Sequence, residues 1–241
     1  EIIIHAAAQV MLRKSFEDPI YDAKTNILGA INVLEACRQN KVKKIIYTST
    51  GGARVGEPEY LPVDEKHPLN PCSPYGISKH TAENYVKMYS QIHNLESLIF
   101  CFGNVYGSRD DPKSGRVISV FIDKMIKGKN PEINGDGNQT RDFVYVLDLA
   151  EFIVENLEKN SKYKLFHLAN GVQVSVNEIF GKLKKILNFQ GEAEYYPAIK
   201  GEVRDIVLDT SLAQKELGWK PKYNLDFGLK KTVEYFKNKN N

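Results

Sequence analysis

Cysteine is scarce in this 241-residue chain, and the three present, Cys37, Cys72 and Cys101, form no C-x-x-C pair. An odd, unpaired set gives no disulfide framework and suits a reducing compartment, so a cytoplasmic location is expected. Long apolar runs are missing too. Nothing approaches the roughly 20 residues of a bilayer span, and no signal peptide is recognisable, so no membrane partner is expected. Charge of one sign is absent: 33 basic residues face 30 acidic ones, intermixed, for a net +3. That leaves no electrostatic footprint for nucleic acid. The five histidines are scattered without metal-ligand spacing, so no metal is expected. Glycine is present, but no G-x-x-G-x-x-G turn occurs anywhere. What remains is an ordinary globular composition, 42% hydrophobic and 26% charged, long enough for one large core or two small lobes.

Read in order, the β-branched run Ile2-Ile3-Ile4 predicts a buried strand that leads into Ala6-Ala7-Ala8. At the carboxyl end of a strand in an open α/β sheet, small residues let a flat cofactor lie against the backbone; a strand leaving into a tight loop accounts for them almost as well. A helical pattern runs from Asp18-Pro19 to Gln39, with polar Asn26 among its apolar positions. Asn26 is suited to a ligand or to a neighbouring loop, and nothing local chooses between them. The strand around 43–48 runs into Ser49-Thr50-Gly51-Gly52, and a proline-punctuated loop leads to Tyr75. A helix is expected from about Ser78 to His93, then a strand over Ser97–Phe102. Strands alternating with helices of crossover length predict a parallel, doubly wound sheet. Past Ser108 the pattern changes. Arg116–Lys127 predicts a helix, 134–138 a hairpin turn, 140–146 a strand, and 165–168 a short strand returning to the main sheet. Ser175-Val176-Asn177-Glu178 has the spacing of a capping box.

Tyr75 and Lys79 are four residues apart and share a helix face. An ammonium beside a phenol favours the phenolate, and a tyrosine tuned from its ordinary value near 10 towards 7 exchanges protons with a sugar or alcohol hydroxyl at neutral pH. Alone, Tyr-x-x-x-Lys is a weak motif in a chain with 13 tyrosines.

The motif does not stand alone. Together with His5-Ala6-Ala7-Ala8-Gln9, Ser49-Thr50-Gly51-Gly52-Ala53, Ser73-Pro74-Tyr75-Gly76-Ile77-Ser78-Lys79, Gly103-Asn104-Val105-Tyr106-Gly107, the run Gly135–Val146 and Leu217-Gly218-Trp219, the chain resembles the extended short-chain dehydrogenase/reductase (NAD-dependent epimerase/dehydratase) family over its whole length. Within that family the UDP-glucose 4-epimerases are most similar. The resemblance implies an isomerase that uses NAD to invert C4 of a UDP-sugar of the glucose/galactose type through a 4-keto sugar. It implies Thr50, Tyr75 and Lys79 as catalytic residues, with Tyr75 as base, Lys79 lowering its pKa, and Thr50 on the 4-oxygen. Ala6, Ala7, Asn26, Ser49 and Phe102, with Tyr75 and Lys79, would contact NAD. Asn104, Ile133, Arg141 and Glu202, with Thr50, would contact the UDP-sugar. It also implies a homodimer formed through the helices of Asn26 and Tyr85. The division expected is a remainder of a Rossmann-type NAD domain, 1–107 with the strand near 164–170, and a small α+β nucleotide-sugar lobe, mainly 108–241. A 4,6-dehydratase would need an acidic pair after the threonine, where Gly51-Gly52 stand.

By the resemblance the chain starts at the fourth strand, so on the order of 60–70 residues carrying the N-terminal strands and the pyrophosphate-binding turn are expected to lie outside it. Tight NAD binding by these 241 residues alone is therefore not expected. A remnant that binds UDP-sugar without catalysis, and another nucleotide-sugar epimerase, dehydratase or decarboxylase, are the alternative readings. Val55, Cys101, Ser108 and Ile199 replace residues usual in the family (Tyr, Arg, Pro and Arg), with Lys200 or Arg204 as stand-ins for the last.

Overall fold

The computed structural model describes residues 1–199 and 202–239. Its centre is a four-stranded sheet in the order β1-β2-β3-β7, formed by β1 (Ile2–His5), β2 (Lys44–Thr50), β3 (Glu96–Phe102) and β7 (Leu165–Leu168). Every pair is parallel, with His5 beside Tyr47, Thr50 beside Phe102, and Phe102 beside Leu168. The carboxyl ends of all four strands thus open on one edge, where open α/β sheets bind ligands.

Alternation along the strands decides which side chains meet which helices. Ile45, Tyr47, Ile99 and Cys101 point to one face, packed by α3 (Gly29–Gln39) and α4 (Pro74–Ile92) through Ala30, Leu34, Ala82 and Val86. Ile46, Leu98, Phe100 and Phe166 point to the other, covered by α6 (Val146–Glu155), α8 (Ser211–Leu217) and Trp219. Helices on both faces make the sheet doubly wound, as the alternation of strands and helices predicts.

The second packing centre lies around α5 (Val117–Ile126), α7 (Val176–Leu187) and α9 (Leu225–Lys239), with Phe121, Ile133, Phe143, Phe180 and Leu229 inside. Two small sheets border it: β4 (Asn104–Tyr106) with β6 (Thr140–Tyr145) and β8 (Gln173–Ser175), and β5 (Glu132–Asn134) with β9 (Glu194–Tyr196). The turn at 134–138 is therefore not a hairpin. β5 pairs in parallel with β9, while β6 pairs with β4 and β8. Gly135 and Gly137 both have positive φ, so the glycines that suggested a hairpin instead carry the chain from one sheet to another.

Three boundaries differ from the sequence expectation. The helix carrying Tyr75 starts at Pro74, because Ser73 caps it by accepting from the Gly76 N–H at 3.1 Å and proline suits the first helical position. Tyr75 therefore sits in the first turn. The pattern over 18–39 is divided into α2 (Pro19–Ala23), a π-helical turn (Lys24–Leu28) and α3, while a short helix α1 (Leu12–Glu17) precedes it. The widened turn carries Asn26 inward. The capping box at Ser175 and Glu178 forms as its spacing predicts.

Candidate active site

Tyr75 lies in the first turn of α4, and Thr50 at the end of β2 is among the groups that act on its phenol. The strand end and the helix start meet closely because Gly76 has no side chain: a Cβ there would lie 2.1 Å from the Ala53 carbonyl oxygen. Burial pushes the phenol up to about 12, against the charge of Arg116 and the hydrogen bond with Thr50. Arg116 precedes α5 and is ion-paired with Asp110.

Lys79 shares the helix face but not the contact that the four-residue spacing suggests. Its Nζ donates to the Thr48 carbonyl at 2.8 Å and lies 4.2 Å from the centre of the Tyr47 ring. Facing the strand, it is 3% exposed, and burial lowers its ammonium to about 8. The expectation that Lys79 depresses Tyr75 is corrected accordingly. Arg116 and Thr50 oppose the effect of burial on the phenol.

Beyond β1, Ala6 and Ala7 are exposed while His5 and Gln9 on either side are buried. This leaves a low shelf at the sheet edge, next to the Lys79 side. Asn26 holds that shelf from below rather than facing it. Its Oδ1 accepts from the Gln9 N–H at 2.9 Å, and its Nδ2 donates to the Gln9 carbonyl at 3.0 Å, to Asp22 and to Ser78. At 3% exposure with every polar atom engaged, the side chain is a loop brace, which corrects its reading as a cofactor contact. Ser49 is corrected in the same way, since its hydroxyl donates to Glu83 at 2.5 Å behind the strand. Phe102, half-buried beside Thr50 at the end of β3, stays at the ligand-facing edge.

The shelf, Lys79 and Tyr75 suit the nicotinamide end of NAD: small residues leave room for a flat ring, and a buried ammonium lies where ribose hydroxyls would come. Lys79 and Tyr75, with the main chain of Ala6 and Ala7, are the groups that would hold it. A cleft of about 470 Å³ opens beside this shelf, between 8–11 and the segment 109–116.

The residues read as substrate contacts come from the other packing centre. Arg141 opens β6, donating through Nη1 to the Thr140 and Arg204 carbonyls at 2.8 and 3.0 Å. Burial lowers its guanidinium, while Glu202, Asp205 and Glu57 oppose that shift, so Arg141 and Glu202 are electrostatic neighbours. Arg141 forms no ion pair with Asp142 or Asp148, whose carboxylates are engaged by the main chain. Asp142 accepts from the N–H groups of Asn170, Gly171 and Leu208, and Asp148 from those of Lys222 and Tyr223. Burial raises the Asp142 carboxyl to about 6 in spite of those donors. Asn104 is exposed at the start of β4.

Ile133 is a correction. At 1% exposure its side chain belongs to the second core, because alternation along β5 turns Glu132 and Asn134 outward and Ile133 inward. Arg204 is engaged by Asp136 at 3.0 Å, and Lys200 lies outside the described residues. The two groups of residues are joined where Gly51 and Gly52 pack on Leu208 and Ile206, and where Glu57 accepts from the Arg204 N–H.

Sequence reasoning missed Glu83 and Arg54. Glu83 lies two turns beyond Tyr75 on the same helix face, so spacing alone could have found it. Arg54 comes from an irregular loop that carries no such signal.

The description GDP-mannose 4,6 dehydratase belongs to the family model that matches residues 1–232. A putative UDP-glucose 4-epimerase of Methanocaldococcus jannaschii is 49% identical over 241 residues, covering 100% of this chain and 78% of that protein. The UDP-glucose 4-epimerase of Mycolicibacterium smegmatis is 35% identical over 240 residues, covering 99% of this chain and 77% of that protein. Among solved structures, the UDP-glucose 4-epimerase of Thermotoga maritima with UDP-glucose superposes with a TM-score of 0.95 at 38% identity, over 100% of this chain and 78% of that one. The Thermus thermophilus UDP-glucose 4-epimerase in complex with NAD gives 0.90 at 34% identity, over 98% and 77%. The chain belongs to the extended short-chain dehydrogenase/reductase family, that of the NAD-dependent epimerases and dehydratases.

Proposed function

We propose that this protein inverts C4 of a UDP-sugar of the glucose/galactose type, using NAD. The observation that carries the proposal is the convergence of Tyr75, from the first turn of α4, with Thr50 at the carboxyl edge of the sheet, with the Ala6–Ala7 shelf and buried Lys79 beside them and Arg141 and Glu202 across the loop. Bound NAD would supply a hydride acceptor for C4, a donor to return hydride to the opposite face, and a positive charge beside the phenol. Tyr75 Oη takes the proton of the sugar 4-hydroxyl and gives it back. Thr50 Oγ1 holds the 4-oxygen and shortens the proton's path. Lys79 holds the ribose. Arg141 receives diphosphate oxygens, for which a guanidinium is suited, with Asn104 beside them and Glu202 at the uridine ribose. Gly51 and Gly52, packed on Leu208 and Ile206, put no acid where elimination of a 6-hydroxyl would need one, which supports epimerisation over dehydration.

On this reading the cofactor side is formed by 1–107 with β7, and the sugar-nucleotide side mainly by 108–241. We place the protein in the cytoplasm, where the thiols of Cys37 and Cys101 stay reduced; among the described residues no helix is long and apolar enough to cross a membrane. We also propose a homodimer. The apolar side chains Ile20, Ile27 and Leu28 recur at helical spacing along the segment from α2 into α3, and Ile77 and Ile92 lie exposed on neighbouring α4, a pattern suited to helix-on-helix pairing of two copies.

The test is conversion of UDP-galactose to UDP-glucose with NAD present, in protein expressed from its complete reading frame. Turnover is expected in the wild type and a loss of about a thousandfold in Tyr75→Phe. Turnover that survives in Tyr75→Phe would show that another group moves the proton.

A further inference from the structure

Behind the Thr50–Tyr75 pair lies a second charged cluster that touches no ligand surface. Glu83 is 0% exposed, Arg54 3% and Cys101 0%. Glu83 Oε2 lies 3.3 Å from Arg54 Nε and 3.3 Å from His80 Nδ1. Glu83 Oε1 accepts from the Ser49 hydroxyl at 2.5 Å and faces the Cys101 thiol at 3.8 Å. Arg54 Nη1 in turn donates to Cys101 Sγ at 3.7 Å. Burial works against the Glu83 carboxylate, but His80, Arg54 and Ser49 outweigh it and keep the group ionised.

The placement of these groups along the chain gives the cluster its meaning. Ser49 and Arg54 flank Thr50, one residue before and four after. Glu83 is on the helix that begins with Tyr75. One carboxylate therefore grips the loop on both sides of Thr50 and is rigidly joined, through two turns of α4, to the phenol. Beyond Thr50 the loop is held by Gly51 N–H to Phe102, Val55 and Gly56 N–H to Gly52, and Asn70 N–H to Val55, and the Ala53 N–H donates to Thr50 Oγ1 at 3.4 Å. Thr50 is held at the end of β2 beside Phe102, and the Glu83 carboxylate adds a tie from the helix of Tyr75 to the residues on both sides of it.

We propose that Glu83 and Arg54 are positioning residues for the proton-transfer pair, setting Thr50 against Tyr75 from behind. A buried ion pair is strongly disrupted when one partner is removed, because the other charge is left without compensation. Loss of Arg54 is thus transmitted to Ser49 and the loop, and so to the Thr50–Tyr75 hydrogen bond. Cys101 offers a relocation of the charge. Its sulfur lies near both Arg54 and Glu83, so an arginine there can reach the same carboxylate from β3 when residue 54 is small.

The kinetic consequence rests on the epimerase reading; the structural one does not, and the experiment separates them. Tyrosine ring-carbon NMR of the protein without substrate, with the Tyr75 resonance assigned by its loss in Tyr75→Phe, reads the phenol directly. Thr50→Ala defines the shift caused by losing the hydrogen bond. Arg54→Met and Glu83→Gln are expected to move the Tyr75 resonance in the same direction, and Arg54→Ala/Cys101→Arg to restore it towards the wild-type position. Where Arg54→Met fails to fold, Arg54→Lys, which keeps a cation and loses the guanidinium fork, is expected to give a smaller shift of the same sign. A Tyr75 resonance that stays at the wild-type position in a folded Arg54 variant overturns the proposal. In the active enzyme, kcat is expected to fall about ten- to a hundredfold in Arg54→Met with KM little changed, the cost of a misplaced catalytic group. A wild type without epimerase turnover would count against the functional reading alone, since the NMR comparison stands without it.

Discussion

On the proposed reading Tyr75 releases a proton near neutral pH, while burial pushes its phenol up to about 12. Lys79 is tuned the other way. Its ammonium is lowered to about 8 by burial against β2, compared with about 10.5 in an unfolded chain. For a lysine with a depressed folded value, the unfolded state binds more protons between the two values, so stability rises with pH through that window. The cost of burying the charge is fully present below about pH 8 and is relieved as pH rises towards 10.5. Lys79→Met is therefore expected to be more stable than wild type at pH 7, by up to about 3 kcal/mol less whatever the lost Thr48 contact contributed. Denaturant unfolding at pH 7 and pH 10 checks this, since the advantage should shrink at the higher pH. An advantage independent of pH would mean that the ammonium is not desolvated. The placement of Tyr75, Lys79 and Thr50 at strand ends and helix starts was legible in the sequence, while the roles proposed for them come from the family resemblance. The direction in which Lys79 points was not, because residue spacing specifies a helix face and says nothing of what packs there.

At the scale of elements, the site depends on how closely the start of α4 approaches the loop after β2. Gly76 permits that approach, and an added methyl would meet the Ala53 carbonyl, a backbone atom without freedom to yield. Gly76→Ala is expected to destabilise the fold by about 1–3 kcal/mol, the usual cost of overpacking, and to reduce turnover as the Thr50–Tyr75 contact opens. Thermal melting and the UDP-galactose assay measure the two effects; an unchanged melting temperature would show that the loop gives way freely. Legibility was uneven here also. Ser73-Pro74 is a capping signal that fixes the helix start, and it was available in the sequence. The fate of the glycine turn at 134–138 was not, because strand partners far along the chain, β9 for β5 and β4 or β8 for β6, were decided by tertiary packing.

For the whole molecule, two packing centres meet along one loop, where Gly51 and Gly52 lie against Ile206 and Leu208. The chain reaches each centre by crossing from the other, as α6, β7 and α8 cover the sheet from within the second half of the sequence. The outer apolar face of α2 and α3 takes no part in either centre. If it pairs two copies, the wild type is expected to sediment as a dimer and Ile20→Glu/Leu28→Glu as a monomer. Both side chains are largely exposed, at 66% and 53%, so the monomer's fold should survive the change. Sedimentation of both proteins as monomers would remove the dimer from the proposal.

The sequence by itself determined the class of fold and carried the motifs of the family resemblance from which the proposed proton-moving residues come, because periodicity and motif spacing are local properties. Tertiary structure alone decided which polar side chains face ligand and which brace the frame. Asn26 and Ser49 turn inward to hold loops, Ile133 enters a core, and Glu83 and Arg54 meet behind Thr50. A buried polar group must find a partner wherever the packing supplies one, and that partner is set by approach in space rather than by position along the chain.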